Sequence, residues 1–231
     1  SYFMNNLAVL NDKSFNAMTG FFNSAIISVG VTACTVYFST MTAFAIVAYD
    51  WKLRNAFFSM IMCVLMIPAT VTSIGFYKFM YSIGMTNNFA ALILPSIAAP
   101  STVFFMRQFM LSSLPMEILQ SARIDGAGWF SIYWKITLPL IKPILLYNLV
   151  TSLVGGLTMF DIPHLMTQGN PNYTTNTVAR FIYTQGFDMP NNFNVACAAS
   201  VVLFGIIVIC SLILSSIMKD RDVKKVKGVG K

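Results

Sequence analysis

Residues 194–218, NVACAASVVLFGIIVICSLILSSIM, form an apolar run without a single charged side chain. A helix of roughly 20 such residues crosses the hydrocarbon core of a bilayer. Similar runs recur along the chain, since 56% of its 231 residues are hydrophobic and only 10% are charged. A soluble domain usually has about 25% charged residues. The sequence therefore predicts an all-α, polytopic membrane helix bundle.

Five spans are predicted, at about 21–49, 56–80, 89–110, 143–166 and 194–218. Pro68 interrupts the second span, and Pro95 and Pro100 lie inside the third. Prolines within spans are tolerated where neighbouring helices or water satisfy the freed carbonyl groups. Each of these prolines marks either a bend beside a pathway or a plain packing kink.

The basic residues indicate the orientation of the bundle. If residues 1–20 are external, all of the 15 Lys and Arg residues except Lys13, Lys78 and Arg180 fall on the inner side. An excess of Lys and Arg marks cytoplasmic loops. The loop 114–142 and the basic tail 219–231 are thus predicted to be cytoplasmic. The net charge of +7 then follows from topology and contact with anionic lipids, and nucleic acid is not needed to explain it.

The loop 114–142 has the pattern of a helical hairpin. Pro115 suits the first turn of a helix, and Glu117 suits its positive end. Gly126 and Gly128 indicate a helix end and a sharp turn. Apolar residues from Trp129 to Thr137 indicate a second short helix against the membrane face. On these features alone, the loop is either a projection that docks on a partner or an ordinary amphipathic loop at the interface.

The run from Ser121 to Gly126, followed after nine residues by Ile136-Thr-Leu-Pro139, resembles the EAA loop of bacterial ABC importer permeases. The phrases Ala122–Ala127 and Leu138–Pro143, and the stretch 66–115, are similar to carbohydrate importers of the maltose type. This resemblance covers roughly residues 22–218. It is specific for an importer permease and does not identify the sugar.

The resemblance implies that this chain is the membrane permease of an ATP-driven sugar importer in the bacterial cytoplasmic membrane. Its partners would be a second homologous permease, two ATPase subunits that bind ATP and Mg, and an extracellular or periplasmic solute-binding protein. No catalytic or metal site is expected in this chain. Residues 21–218 would form the transmembrane domain, and a sixth span is expected upstream of the external segment 1–20. The residues carried over as ATPase-coupling are Glu117, Gln120, Ser121, Ala122, Arg123, Asp125, Gly126, Ala127 and Gly128.

Two departures from the family pattern stand out. The Glu and first Ala that lead the motif are Gln120 and Ser121 here, so an ion pair expected with the ATPase is weakened or replaced, with Glu117 as a possible substitute. The front half resembles the G-type partner of maltose-like pairs, whereas 160–169 and 176–187 resemble the F-type partner. We favour the G-type assignment.

Polar residues inside the spans are the candidates for a substrate path, because such residues face other helices or a water-filled cavity. The candidates are Asn148, Thr151, Ser152, Thr158 and Asp161 in and after the fourth span, and Thr70, Thr72 and Ser73 beyond Pro68. Helix packing is the alternative for the hydroxyl groups of the fourth span, and a solvated helix-end acid is the alternative for Asp161. For the cluster beyond Pro68, the alternative is that the hydroxyl groups bond to backbone carbonyls freed by this proline. The external segment 167–193, with a short helix expected at 178–183, either docks a binding protein or caps the bundle.

Two other functions compete with sugar import. One is an importer permease for another solute, such as an amino acid or a phosphate ester. The other is a standalone secondary transporter, but such proteins carry ionisable residues deep in their spans, and these spans are nearly free of charge. An enzyme is disfavoured because the chain has no P-loop or HExxH motif.

Overall fold

The computed structural model describes residues 17–85, 88–166, 176–189 and 192–218, and within these ranges every regular element is a helix. Most of the external segment 1–20, residues 167–175 of the second external segment and the tail 219–231 lie outside the described residues. The assignments of these three segments stay predictions. The all-α class is confirmed.

The first half of the chain forms α1 (Ala17–Ala48), α2 (Arg54–Leu65), α3 (Ala69–Ser82), α4 (Phe89–Ile93), a 3₁₀ turn (Leu94–Ile97) and α5 (Pro100–Ser113). The second half forms α6 (Met116–Ile124), α7 (Trp129–Ser131), the π-helix π1 (Ile132–Thr137), α8 (Leu138–Leu140), α9 (Lys142–Leu157), α10 (Asp161–Met166), α11 (Val178–Tyr183), the π-helix π2 (Thr184–Asp188) and α12 (Phe193–Met218).

Four helical stretches in the described residues are long and apolar enough to cross a membrane: Met18–Ala48, Phe89–Ser113, Lys142–Leu165 and Phe193–Ile217. They coincide with the first, third, fourth and fifth predicted spans. In the third span, Pro95 lies in the first turn of the 3₁₀ element, and the helix is interrupted just before Pro100. Both prolines therefore coincide with irregularities of the helix.

The predicted second span, 56–80, is not one helix. It is divided at Pro68 into α2 and α3, of 12 and 14 residues, each shorter than a bilayer crossing needs. Proline has no N–H and clashes with the preceding turn, which explains why α2 ends just before it and α3 begins just after it. The span count of five stays a prediction, because only the combined α2–α3 segment has the required length.

Helix α1 lies at the centre of the bundle. In the most apolar 18-residue part of α1, 61% of the residues are buried. In the corresponding parts of the other three long stretches, 17–22% of the residues are buried. Its buried residues include many small polar ones: Asn23, Ser24, Ser28, Thr32, Thr35, Ser39 and Thr40. A transmembrane helix with this composition packs closely against protein rather than lipid.

Hydrogen bonds from α1 reach other parts of the chain, among them α9 and the segment at the start of α11. The Ser28 hydroxyl donates to the Leu153 carbonyl of α9 at 2.7 Å. The Asn23 side-chain amide donates to the Asn176 carbonyl at 3.0 Å, and the Ser24 hydroxyl accepts the Val178 N–H at 2.9 Å. These bonds fix α11 against the bundle. Whether the segment 167–193 docks a binding protein or caps the bundle stays a prediction.

A hydrophobic core lies at the end of the bundle where α6 is attached. There the last turns of α1 and α5 pack with the segment 114–141 through Phe44, Met110, Leu119, Ile132 and Tyr133, all of them buried. This core joins the 114–142 hairpin to the transmembrane helices, so the hairpin is not a free loop.

The closest approach of α1 and α9 depends on Gly156. A Cβ atom added to Gly156 would lie 2.5 Å from the Ser28 Cα atom, whereas a Cβ added to the neighbouring Gly155 would meet nothing within 4 Å. Gly156→Ala should therefore force α1 and α9 apart and destabilise the protein by about 1–3 kcal/mol. Gly155→Ala, the matched control, should leave stability within about 1 kcal/mol of the wild type.

Thermal unfolding in detergent micelles measures this difference. We expect a lower melting temperature for Gly156→Ala only. Equal melting temperatures for the two variants would show that the α1–α9 contact is not limited by space.

Candidate functional site

Helix α6 begins immediately after Pro115 and ends at Ile124. Glu117 lies in its first turn and Arg123 in its last. Both charges stabilise the helix, because the helix dipole is positive at the N-terminus and negative at the C-terminus. The sequence had predicted this helix from Pro115 and Glu117.

The C-terminal turn of α6 is closed by two backbone hydrogen bonds. The Ala127 N–H donates to the Ala122 carbonyl at 2.9 Å, and the Gly126 N–H donates to the Arg123 carbonyl at 3.0 Å. This pair of bonds defines a Schellman motif, which needs a left-handed residue after the helix. Gly126 takes that place with φ +80°, as the predicted glycine turn requires.

The two sides of α6 have different environments. Leu119 is 1% exposed and belongs to the core formed with α1 and α5, against which Ala122 and Ala127 are also packed. The opposite side is solvent-exposed and carries Glu117, Gln120, Ser121, Ile124 and Asp125. We call these five residues the outer face of α6.

Ile124 is the large apolar residue of the outer face. Its side chain is 86% exposed, although an apolar side chain of this size gains about 1.5–3 kcal/mol when it is fully buried. A partner protein that covered Ile124 would recover this free energy.

Arg123 points away from the outer face. Its Nη2 atom donates a hydrogen bond of 2.6 Å to the carbonyl oxygen of Ala48, the last residue of α1. Its guanidinium carbon lies 4.6 Å from the centre of the Tyr49 ring, in a cation–π contact. Of the residues carried over as ATPase-coupling, Arg123 is thus exposed to solvent and also bonded to the end of α1.

The segment after the glycine turn returns the chain to the bundle. Ile132, Tyr133 and Thr137 of π1 are buried, and the Tyr133 ring lies 5.3 Å from the Phe44 ring of α1. Burial raises the pKa of Tyr133 to about 12, with a smaller contribution from Tyr37. Trp129, Phe130 and Trp134 are exposed beside these buried residues.

An open groove of about 980 Å³ lies where α2 and α3 meet at Pro68. The groove brings together Thr72 and Ser73 of α3, Ser101 of α5 and Asp161 of α10. Phe76 and Phe79 line the same groove. It therefore combines hydroxyl groups, a carboxylate and aromatic rings.

The other path candidates lie outside this groove. In α9, Asn148 is buried and donates to the Ile144 carbonyl at 2.9 Å. Thr151 and Thr158 donate to the Tyr147 and Val154 carbonyls of their own helix. Ser152 is half-buried in the same helix, and the side chain of Thr70 is outside the described residues. Any contact of these residues with a solute stays a prediction.

Sequence reasoning singled out Thr72, Ser73 and Asp161 but did not place them together. It also missed Phe76, Phe79 and Ser101, which have no distinctive spacing. The only signal was indirect: the groove lies beside Pro68, Pro95 and Pro100, the three prolines that interrupt the spans.

Comparison with known proteins identifies a family. The family described as "Binding-protein-dependent transport system inner membrane component" matches residues 35–228. The arabinooligosaccharides transport system permease protein AraQ of Halalkalibacterium halodurans is 34% identical over 192 residues, covering 83% of this chain and 67% of that protein.

The sn-glycerol-3-phosphate transport system permease protein UgpE of Yersinia enterocolitica is 34% identical over 157 residues, covering 68% of this chain and 55% of that protein. The chain therefore spans about half to two thirds of the length of these relatives. A chain of a bacterial ABC transporter involved in the import of the acidic polysaccharide alginate has a similar fold, with a TM-score of 0.73 at 20% identity. That similarity covers 89% of this chain and 75% of the other.

The Schellman turn generates a test of the hairpin geometry. Nothing lies within 4 Å of a Cβ atom added at Gly126 or at Gly128, so any effect of Ala at these positions comes from the backbone. Gly126→Ala should cost about 1–2 kcal/mol because of the positive φ. Gly128 has φ −66°, which any residue adopts, so Gly128→Ala is the matched control.

Hydrogen exchange of the Ala127 amide reports on the closed turn, because this N–H donates to the Ala122 carbonyl. We expect about 10-fold faster exchange in Gly126→Ala, the factor that corresponds to about 1.4 kcal/mol, and wild-type exchange in Gly128→Ala. Equal rates in the two variants would contradict the left-handed turn at Gly126.

Proposed function

Since the chain belongs to the family of inner membrane components of binding-protein-dependent transport systems, we propose that it is a permease subunit of an ATP-driven sugar importer. It would form the translocation path with a second, homologous permease. Two ATPase subunits would bind ATP and Mg on the cytoplasmic side, and a solute-binding protein would deliver the sugar from outside. Among maltose-type pairs, this chain would take the place of the G-type subunit.

The observation that carries this proposal is the outer face of α6. The positive-inside distribution of Lys and Arg predicts that this face is cytoplasmic, where an ATPase could reach it. The face combines an 86% exposed Ile124 with exposed Glu117, Gln120 and Asp125. A standalone transporter has no need of such a projecting surface.

The inner side of α6 supports a mechanical role. Because Leu119 is fully packed in the core with α1 and α5, a displacement of α6 by the ATPase would be passed to these helices. Close-packed interiors transmit such displacements and do not absorb them. ATP binding would thereby change the side on which the path is open.

Gln120 stands where the family pattern has Glu, and it is exposed on the outer face. Its amide can hydrogen-bond to a basic group on the ATPase but cannot form an ion pair. Glu117 is exposed on the same face, nearly one turn earlier. We propose that Glu117 supplies the negative charge for the ATPase contact.

The groove at Pro68 is the part of the described structure best suited to contact the solute. Hydroxyl groups and a carboxylate can hydrogen-bond to sugar hydroxyls, and Phe76 and Phe79 offer apolar faces for a sugar ring. We propose that Thr72, Ser73 and Asp161 line the path on this subunit.

The charge of the groove favours a neutral sugar over a phosphate ester. Among the described residues that line it, Asp161 is the only ionisable one. A phosphate group would be repelled by the carboxylate and would find no Arg or Lys there to bind it. A phosphate ester such as the solute named for UgpE is the second candidate, because that relative has the same 34% identity, although over 157 residues instead of 192.

Ile124→Asp tests the docking of the ATPase. The substitution should remove ATPase subunits from the complex purified from native membranes, because a buried, unpaired carboxylate at an interface is costly. The matched control is Phe187→Asp, which changes another apolar side chain, 74% exposed, in the segment predicted to be external. This variant should retain the ATPase.

Two results would count against the permease assignment. One is copurification of the ATPase with Ile124→Asp at the wild-type ratio. The other is transport by the purified chain alone, without ATP or partner subunits.

Asp161→Asn tests the solute class. In proteoliposomes with the full complex and its binding protein, we expect neutral oligosaccharides, and not glycerol-3-phosphate, to stimulate ATP hydrolysis. Asp161→Asn should reduce sugar transport about 5-fold or more, because a hydrogen bond to a charged group contributes roughly 1.5–3 kcal/mol. Asp188→Asn, which changes an exposed acid outside the groove, is the charge-matched control and should transport as the wild type does. Stimulation by glycerol-3-phosphate alone would overturn the sugar assignment and leave the permease assignment standing.

A further inference from the structure

We propose that Arg123 is a positioning residue that couples α6 to α1, so that movement of α6 reaches the end of α1 through a directed hydrogen bond in addition to the packing of Leu119. The inference rests on the proposed function of α6 as the helix that docks on the ATPase. It assigns to Arg123 a role different from that of the outer face. We call Arg123, the Ala48 carbonyl and the Tyr49 ring the Arg123 link.

The geometry of the Arg123 link joins two helix ends. Arg123 lies in the last turn of α6, and Ala48 is the last residue of α1. The last four carbonyl groups of a helix have no partner within the helix, so the Ala48 oxygen needs an outside donor. The 2.6 Å hydrogen bond from Arg123 provides it, and the cation also stabilises the negative end of the α1 dipole.

The Tyr49 ring fixes the orientation of the guanidinium. Arg123 stacks on this ring at 4.6 Å, and Tyr49 in turn meets the Phe44 ring edge-on at 5.8 Å. Phe44 is buried between Tyr49 and Tyr133. Because a guanidinium is planar, Arg123 can donate the hydrogen bond and stack on the ring at once, which a lysine ammonium group cannot do.

A second arginine, Arg54 of α2, contacts the residues that follow α1. Arg54 donates to the Tyr49 carbonyl at 3.4 Å and lies 3.6 Å from the Asp50 carboxylate. The turn between α1 and α2 is thus fixed on its own side by Arg54. The Arg123 side chain joins the end of α1, next to this turn, to α6 by a hydrogen bond.

Helix α1 is the part of the bundle to which a displacement would have to be delivered. Its side chains are hydrogen-bonded to the carbonyl groups of Leu153, Asn176 and Ser96. A shift of the α1 end would therefore act on α9, on the segment before α11 and on the turn that lines the groove. Leu119 packs α6 against the same core and passes on its displacement without a preferred direction, whereas the short hydrogen bond from Arg123 to the Ala48 carbonyl has a defined direction.

The test uses the complete reconstituted complex with its binding protein and compares Arg123→Gln, Arg123→Lys and Lys135→Gln. Lys135 is an exposed cation in the same cytoplasmic segment and serves as the charge-matched control. The measured quantities are the ATPase that copurifies, the solute-stimulated ATP hydrolysis and the solute transported per ATP. A residue that only stabilises the fold would not change the last of these at constant assembly.

We expect Arg123→Gln to retain ATPase subunits and ATP hydrolysis while solute transported per ATP falls about 5-fold or more, the range of typical coupling between sites. Arg123→Lys should recover part of the loss, since it restores the charge but not the stacking. Lys135→Gln should behave as the wild type. A wild-type transport ratio in Arg123→Gln, or an equal loss in Lys135→Gln, would overturn the proposal.

Tyr49 provides a second, independent arm that leaves α6 unchanged. Tyr49→Leu removes the ring and should lower the transport ratio, whereas Tyr49→Phe keeps the ring and should preserve it. The losses in Arg123→Gln and Tyr49→Leu should not add in the double variant, because both act through one contact. If Arg123→Gln fails to assemble, a wild-type ratio in Tyr49→Leu sinks the proposal, and a lowered ratio supports it.

The outcomes separate this inference from the proposed function. If the wild-type complex transports without ATP, the proposed function fails. If the wild-type complex couples ATP hydrolysis to transport and the Arg123 and Tyr49 variants couple equally well, only the Arg123 link is refuted.

Discussion

The structure depends on the hydrogen bonds that the polar side of α1 makes to the backbone of other segments of the bundle. In a bilayer, an unpaired carbonyl group costs several kcal/mol. The clearest case is Ser96, whose carbonyl would face the N–H of residue 100 in a continuous helix. Residue 100 is proline and has no N–H, and the Thr35 hydroxyl donates to this carbonyl at 3.0 Å instead. The break at Pro100, beside the groove, is accommodated because α1 supplies a donor for the carbonyl that this proline leaves unpaired.

This dependence explains which features could be predicted from the sequence. Spans follow from apolar runs, and the end of α6 follows from Gly126, because both are local consequences of side-chain type. The resemblance to importer permeases rested on the pattern around Ser121–Gly126 and was confirmed by the family match. What could not be predicted are contacts between distant segments. Thr72 and Asp161 line one groove although nothing in their local sequence relates them.

The same reasoning explains two places where the pattern was ambiguous. The hydroxyls of Thr151 and Thr158 are bonded to carbonyls of their own helix. Whether a Thr hydroxyl bonds to its own helix or to another partner depends on the residues that surround it in the fold. Arg123 belongs to the motif that resembles the ATPase-docking loop, yet its guanidinium is bonded to the end of α1. Its direction is set by the end of α1, which lies 75 positions away along the chain.

The structure requires glycine at positions 156 and 126 for two different physical reasons. One is the space that a side chain would need, and the other is the handedness of the backbone. Gly156 is limited by volume, because the Ser28 backbone occupies the place of an L-alanine methyl group. Gly126 has free space around it and is limited only by its φ of +80°, a region that costs L-residues about 1–2 kcal/mol because of their chirality. The mirror-image amino acid prefers that region, so a D-alanine introduced at position 126 by chemical synthesis would fit the turn without strain. Position 126 thus selects glycine for its lack of a chiral centre and not for its small size.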